Sequence, residues 1–390
     1  MKKSADTQQK NDRPLALLGG LGAREFLREY WQKKPLLIRG AFADFVDPLD
    51  KKAIMALAAR DDAESRLIAN DGGRWRLTHG PFSRRDFAAV KETKWTVLVQ
   101  DTQHFSRAAH DVLAHFNFIP HARIDDLMVS YAVPGAGVGA HFDSYDVFLL
   151  QGAGKRRWRI SAQTDLRIKA GMPLKILARF KPEQEYLLET GDMLYLPPGF
   201  AHDGTAETES LTWSVGFRAP SAQELSVAML DYLRDEVAFD GEYRDPDLLP
   251  SRNPGAIDES MITTATTMLA AMRAAAGNAA HIKRCLGRLL TEPKPHVFFE
   301  APEPVLTLAR FRARALSHGV ELDLKSRLLY DRDSFYFNGA TIEATPFDTM
   351  YLRQLADARA LPPGVLALVA DSPLLGKLFD AYREGGLRLT

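Results

Sequence analysis

The sequence predicts a mainly β fold with helices: an antiparallel sandwich or barrel over roughly residues 67–217, then a helical segment, then a small α+β module. Three observations carry that expectation. At 390 residues and 43.4 kDa the chain exceeds the usual size of one hydrophobic core, so more than one unit is expected. Between Leu67 and Phe217 short β-like runs alternate with Gly and Pro punctuation: WTVLVQ, LMVSYAV, YDVFLLQGAG, KRRWRI, EYLLETGD, MLYLPPG and LTWSVGF. Past Arg218 the apolar spacing lengthens to a helical period.

The elements follow in order. After a polar tail of about a dozen residues, REFLREYWQKK reads as a short amphipathic helix ended before Pro35, and Leu36 to Ile38 as an apolar strand. Beyond the strand-rich region, Ser221 with Glu224 forms a capping-box pattern. Leu225, Met229, Tyr232, Leu233 and Val237 then recur at helical spacing. A Pro/Gly/Asp-rich loop separates this helix from a second, which carries Ile257, Met261, Ile262, Ala265, Met268, Leu269 and Met272; a third runs around Ile282 to Leu290. TEPKPHVFFEAPEP reads as a linker. One helix, several short strands (VELDL, RLLYDR, SFYFNG, TIEA) and two closing helices then give the pattern of a winged helix. The apolar faces at Leu225 to Val237 and Ile257 to Met272 exceed what a small helical segment buries alone, which predicts a homodimer interface.

Composition narrows the function. Fifty Lys plus Arg balance fifty Asp plus Glu, which removes a global nucleic-acid or membrane-surface signature. Residues 301–390 hold eleven of each sign, so the C-terminal module also lacks the basic bias of a DNA reader, and Arg310, Arg312 and Arg314 read as a solvated helix face. A single cysteine, Cys285, excludes an intrachain disulfide framework and thiolate metal clusters, and fits a reducing compartment. With no apolar signal core and no run approaching roughly 18 apolar residues, a cytoplasmic protein is expected.

The chemistry concentrates in two stretches, PGAGVGAHFDSYDVFLLQG and ETGDMLYLPPGFAHDG. His141 and Asp143 sit at i and i+2 on a predicted strand, so both side chains leave one face and can touch one ion. In the second stretch a Gly191-Asp192 turn precedes a strand that His202 ends. Two imidazoles and one carboxylate form the facial triad that leaves adjacent coordination positions open, the arrangement of non-haem Fe(II) oxygenases, so iron is favoured over zinc. The histidines at 79, 104, 110, 115 and 121 lack such a frame and read as structural or solvated.

On the strand KRRWRI, Lys155, Arg157 and Arg159 share one face while Arg156, Trp158 and Ile160 share the other. A guanidinium pointing inward demands an anion, either a dicarboxylate cosubstrate or an intramolecular Asp or Glu. On DDLMVSYAV, Asp126, Met128 and Ser130 share a face, and Tyr145 shares parity with His141 and Asp143.

These segments, with FLREYWQKKPLLIRGAF and WSVGFRAP, resemble the JmjC-type Fe(II)- and 2-oxoglutarate-dependent oxygenases, specifically the bacterial ribosomal oxygenases that hydroxylate an arginine. The resemblance implies a cupin-like double-stranded β-helix catalytic domain over residues 1–218, a helical dimerisation region over 219–300 and a winged-helix-like domain over 301–390. It implies His141, Asp143 and His202 as iron ligands, with Arg156 and Ser130 holding the distal carboxylate of 2-oxoglutarate. It further implies Asp126, Met128, Tyr145 and Ser214 as the residues that receive the substrate arginine, in a large-subunit ribosomal protein, L-sixteen. It implies dioxygen as the second cosubstrate, with succinate and carbon dioxide as products. The competing readings are a ribosomal-protein histidine hydroxylase, a JmjC demethylase, a non-catalytic cupin-type binding protein and a nucleic-acid-binding regulator. Asp126 favours a cationic side chain over a neutral imidazole.

Overall fold

The computed structural model describes residues 13–218 and 220–390, so the polar tail expected over the first dozen residues lies outside the described part. The chain divides into two compact units, one running to residue 219 and including Pro295–Phe298, the other formed by Pro220–Lys294 and Phe299–Thr390.

The first unit contains, in chain order, α1 (Ala23–Glu29), β1 (Leu36–Ile38), α2 (Lys51–Ala58), β2 (Ser65–Asp71), β3 (Arg74–His79), α3 (Arg84–Val90), β4 (Lys94–Val99), α4 (Arg107–Ala114), β5 (Ile124–Ala132), β6 (Asp146–Ala153), β7 (Arg156–Ser161), β8 (Gln184–Leu188), β9 (Met193–Leu196), β10 (Ala201–Ala206) and β11 (Ser210–Phe217). An eight-stranded sheet in the order β1-β9-β6-β11-β5-β4-β2-β3 faces a three-stranded sheet in the order β10-β7-β8, and every pairing is antiparallel.

Strand parity explains which residues reach which side. Leu127, Val129 and Tyr131 of β5 and Leu211, Trp213, Val215 and Phe217 of β11 join the large core beneath the helices. Their alternates, Asp126, Met128 and Ser130 on β5 and Thr212 and Ser214 on β11, therefore face the small sheet. On β6 both parities are apolar, because Phe148 and Leu150 enter the helix-side core while Val147 and Leu149 pack between the sheets against Trp158 and Ile160. That two-sided burial is why YDVFLLQG reads as an unbroken apolar run. The turn before β9 needs Gly191, whose φ is +89° and whose missing Cβ would lie 2.6 Å from the Phe42 carbonyl oxygen. Beside it the Asp192 carboxylate accepts the Gly40 N–H at 3.0 Å and the Glu189 N–H at 3.1 Å, pinning the chain ahead of the site.

The second unit contains α5 (Ala222–Glu236), α6 (Glu259–Ala276), α7 (Ala279–Thr291), α8 (Leu308–His318), β12 (Val320–Leu322), β13 (Leu328–Tyr330), β14 (Phe335–Phe337), β15 (Ala340–Ile342), α9 (Thr349–Ala358), β16 (Ala360–Leu361), α10 (Pro363–Leu368), α11 (Pro373–Arg383) and β17 (Leu387–Leu389). The capping box at Ser221 and Glu224 forms as expected. The two closing helices expected from the sequence are three, and a last strand, β17, returns to pair with β12. Residues 387–389 alternate too briefly to register as a strand; β12 supplies the partner. The helices α5–α7 share the compact unit of the winged module, and Gly287 of α7 lies against the Tyr336 ring of β14.

Within α5–α7 the shared core is small, with Tyr232, Leu233 and Cys285 buried against Met229, Val237 and Met272. Leu230, Ile257, Ile262 and Leu269 remain 49% or more exposed, and no residue of the 18-residue α6 is buried. No helix among the described residues is long and apolar enough to cross a membrane.

Candidate metal and cosubstrate site

His141, Asp143 and His202 converge, each offering one ligand atom within 4.8 Å of the others. The strand geometry predicted for the first pair is corrected by the structure. β6 begins only at Asp146, and His141 and Asp143 occupy the irregular segment that precedes it. Three glycines and a proline between Pro134 and Gly139 leave this segment with too little pairing to form a ladder. One isolated bridge substitutes for the ladder: His141 N–H donates to the His202 carbonyl at 2.9 Å and His202 N–H to the His141 carbonyl at 2.8 Å. His202 likewise does not end the strand before it but stands second in β10.

Both imidazoles are oriented alike. Nδ1 of His141 lies 2.9 Å from the Gly139 carbonyl and Nδ1 of His202 lies 2.9 Å from the Phe200 carbonyl. A carbonyl only accepts, so each Nδ1 carries the proton and each Nε2 lone pair is left for a metal. Nε2 of His202 sits 3.6 Å from Asp143 Oδ2, the spacing of two donors on one ion. Burial, then the neighbouring His141, holds His202 well below the ordinary imidazole range, so it stands neutral and ready to ligate. Burial raises the Asp143 carboxyl, opposed by His141 and Arg66; an uncompensated anion there is what a cation would relieve.

Beyond the triad, Trp158 leads to Arg156. The indole ring lies 5.8 Å from the His202 ring, and the Arg156 guanidinium lies over the indole at 5.2 Å. Gly204 makes room for it, since a Cβ at that position would stand 2.6 Å from the indole. Arg156 is 3% exposed. Its Nη2 donates to the Gly204 carbonyl at 3.2 Å and its Nη1 to Thr212 Oγ1 at 3.4 Å, while Nε has no partner. Among the described residues no carboxylate comes within ion-pair distance of it, so the intramolecular salt bridge does not form. Asp203, whose charge acts on Arg156, is paired with Arg159 instead. Burial pushes the Arg156 pKa down to about 10, the mark of a cation awaiting an anion. Ser130 stands opposite Thr212 in register and places its hydroxyl 3.5 Å from the carbonyl of Thr212, the residue whose Oγ1 meets Arg156.

The four residues expected to receive substrate also gather. A Cβ on Gly216 would lie 2.9 Å from Asp126 Oδ1 and 3.5 Å from the Tyr145 ring, so both side chains close over one backbone position. Tyr145 is held protonated by burial and by Asp143, Asp126 and Asp125. Ser214 stands opposite Met128 in register.

Sequence reading missed Thr212, Gly204, Gln100 and Arg66. Thr212 shares parity with Ser214 and was legible from that; Gln100, which donates to Asp126 at 3.3 Å, was not. Arg66 was not either: it arrives from β2 through the lateral order β2-β4-β5, placing Nη2 3.7 Å from the Met128 sulfur.

Comparison with known proteins places this geometry in context. Residues 111–225 match the JmjC domain family and residues 271–388 the ROXA-like winged helix family. The chain is 36% identical over 284 residues to the ribosomal protein uL16 3-hydroxylase of Escherichia coli, covering 72% of this chain and 74% of that one. It is 37% identical over 237 residues to a probable ribosomal oxygenase of Haemophilus influenzae, covering 57% and 54%. The X-ray structure of E. coli ycfD superposes with a TM-score of 0.82 at 32% identity, covering 94% of this chain and 98% of that one. An E. coli YcfD structure in complex with cobalt and 2-oxoglutarate superposes at 0.80 and 31% identity, covering 94% and 97%.

Proposed function

Since the chain belongs to the family of JmjC ribosomal oxygenases, we propose that it hydroxylates an arginine of the large-subunit ribosomal protein uL16, using Fe(II), 2-oxoglutarate and dioxygen. It is a 2-oxoglutarate-dependent dioxygenase. The observation that carries the reading is Arg156, a buried guanidinium with an unpartnered Nε and no carboxylate, set one indole ring away from the His141, Asp143, His202 cluster.

The donor set fits the cofactors. Two Nε2 atoms and one carboxylate would hold Fe(II) and leave open positions. The bound iron, 2-oxoglutarate and dioxygen supply the oxidising power for hydroxylating an unactivated carbon, with release of succinate and carbon dioxide. Arg156 and the Ser130 hydroxyl would hold the distal carboxylate of 2-oxoglutarate, with the Trp158 ring adjoining both the guanidinium and His202. Burial keeps water from competing for the guanidinium. At the mouth, Tyr145 and Met128 flank the aliphatic stem of the substrate arginine while Asp126, steadied by Gln100, accepts from its guanidinium and Ser214 lines the remaining wall.

Replacing Asp126 by Ala is expected to lower kcat/KM for the arginine substrate roughly 10–100-fold, the worth of a charge-assisted hydrogen bond. Uncoupled 2-oxoglutarate decay should change little, because the iron and cosubstrate contacts remain. Mass spectrometry of ribosomal-protein fragments after incubation with iron and 2-oxoglutarate checks the activity as a gain of one oxygen on an arginine. Gain on a histidine-bearing peptide, with none on the arginine-bearing one, would replace this reading by histidine hydroxylation.

The chain works as a cytoplasmic homodimer built through residues 219–300, with residues 1–218 as catalytic domain and 301–390 as a winged domain that does not read nucleic acid. Leu230, Ile257, Ile262 and Leu269 support the dimer, being apolar and uncovered by their own unit. Light scattering should report twice the chain mass, and Leu230→Glu with Leu269→Glu should lower it to one; a monomeric wild type would return these faces to some other cover.

A further inference from the structure

The winged module carries a groove that the catalytic site does not use. It runs between the wing strand β15 and helix α11 and encloses a cavity of about 330 Å³. Its floor is Leu322, Leu328, Phe337, Leu352, Leu355 and Leu378, its walls Ala340 to Glu343 on one side and α11 on the other. The charged lining residues are three exposed carboxylates (Glu343, Asp380 and Glu384) at the rim and one ammonium, Lys377. Lys377 is engaged with the Glu343 backbone carbonyl, and Arg383, outside the lining, reaches Asp380 only at 3.8 Å. The rim is therefore locally acidic although residues 301–390 are neutral overall.

One wall is also an open sheet edge. β15 is the last strand of β13-β14-β15, joined to β14 by the two-residue turn Asn338-Gly339, both at positive φ. In such a hairpin the pair flanking the turn, Phe337 and Ala340, exchanges its hydrogen bonds, so the next pair, Tyr336 and Thr341, directs N–H and C=O outward. Thr341 is exposed and is followed by Ile342, which faces the apolar floor. A free edge over an apolar cleft is the arrangement that accepts an added strand, main-chain bonds giving affinity and alternate side chains giving selectivity.

We propose that this groove is a second docking site for the protein substrate: an extended segment of the ribosomal protein, away from the hydroxylated residue, adds to the edge of β15, seats one apolar side chain between Phe337 and Leu378, and presents flanking Lys or Arg to Glu343, Asp380 and Glu384. The occupant follows from charge. A ribosomal protein must neutralise RNA phosphates and so is rich in Lys and Arg, which the acidic rim attracts, whereas the same rim repels nucleic acid. The inference rests on the reading that the substrate is a ribosomal protein; it adds that recognition extends beyond the active-site mouth.

The test uses the full-length enzyme, intact uL16 and a short uL16 fragment spanning only the hydroxylated residue. Two variants act on the groove: Asp380→Lys with Glu384→Lys, both exposed positions, and Thr341→Pro, which removes the outward N–H where an edge strand tolerates proline. Each should raise KM for intact uL16 about tenfold while leaving kcat and the kinetics of the short fragment unchanged. Unchanged KM for the intact protein in the charge-reversed variant would overturn the docking site, and so would a change of oligomeric state without a change in KM, which would give the edge to a second copy of this chain. Equal wild-type KM for fragment and intact protein would overturn it while leaving the hydroxylase reading standing. Absence of wild-type turnover on both would overturn that reading and the occupant with it.

Discussion

His141→Ala or Asp143→Ala is expected to abolish 2-oxoglutarate turnover while leaving the fold intact. Each removes one of three ligand atoms gathered within 4.8 Å, so the loss should exceed the roughly 10–100-fold that follows when an outer partner of a ligand is removed. The fold should survive because His141 and Asp143 lie outside the apolar clusters, and what pairs this segment with β10 is backbone alone, His141 with His202 and Gly135 and Ala136 with Ala206, which needs no imidazole. Asp143→Ala has a further consequence. Burial raises this carboxyl, so the metal-free variant sheds an unfavourable buried charge and should melt no lower than the metal-free parent. Turnover assays, cobalt(II) titration and thermal melts measure the three effects; near-normal turnover by either variant would remove the triad assignment.

Arg156→Ala is expected to raise the KM for 2-oxoglutarate by about a hundredfold, which corresponds to the upper end of the roughly 1.5–3 kcal/mol of a charge-assisted hydrogen bond. Lysine should rescue only part of the loss, since a point-charge ammonium cannot reproduce the planar fork that already reaches Thr212 and the Gly204 carbonyl. Arg156→Met separates binding from structure. It keeps volume and removes a cation whose pKa burial depresses to about 10, so the variant without cosubstrate should be at least as stable as the parent. Because the guanidinium is destabilised in the folded state, its contribution to stability worsens as pH falls through its ordinary range toward about 10, and is constant below that. An unchanged cosubstrate requirement in Arg156→Ala would show that the guanidinium serves the sheet alone.

Parity made much of the site legible. A period of two along KRRWRI separates Arg156 from Arg157 and Arg159, and the structure gives Arg157 to Glu185 and Glu207 and Arg159 to Asp203 on the outer face. The same rule applied to β5 puts Asp126, Met128 and Ser130 on the inner face, because a pleated strand has only two sides and Leu127, Val129 and Tyr131 take the other. Parity failed at His141 and Asp143. Their ligand atoms gather without lying in a strand, since the glycine-rich segment has no ladder and is held by scattered backbone bonds, among them the bridge from His141 to His202, 61 positions later.

The amino-acid sequence by itself determined most strands of the first unit, the sides their residues take, and the three residue types that can ligate one metal, because these depend on local periodicity and side-chain chemistry. The short helices Lys51–Ala58, Arg84–Val90 and Arg107–Ala114 and the strand β17 were not read from it. Only the tertiary structure decided what lies across from them. That Arg156 lacks a carboxylate, that Thr212 and Gly204 cradle it, that Arg66 enters beside Met128 and that β17 closes onto β12 are all matters of lateral strand order. Strands distant in the chain become neighbours through hydrogen bonds that every backbone can make, so no residue along the sequence encodes that order on its own.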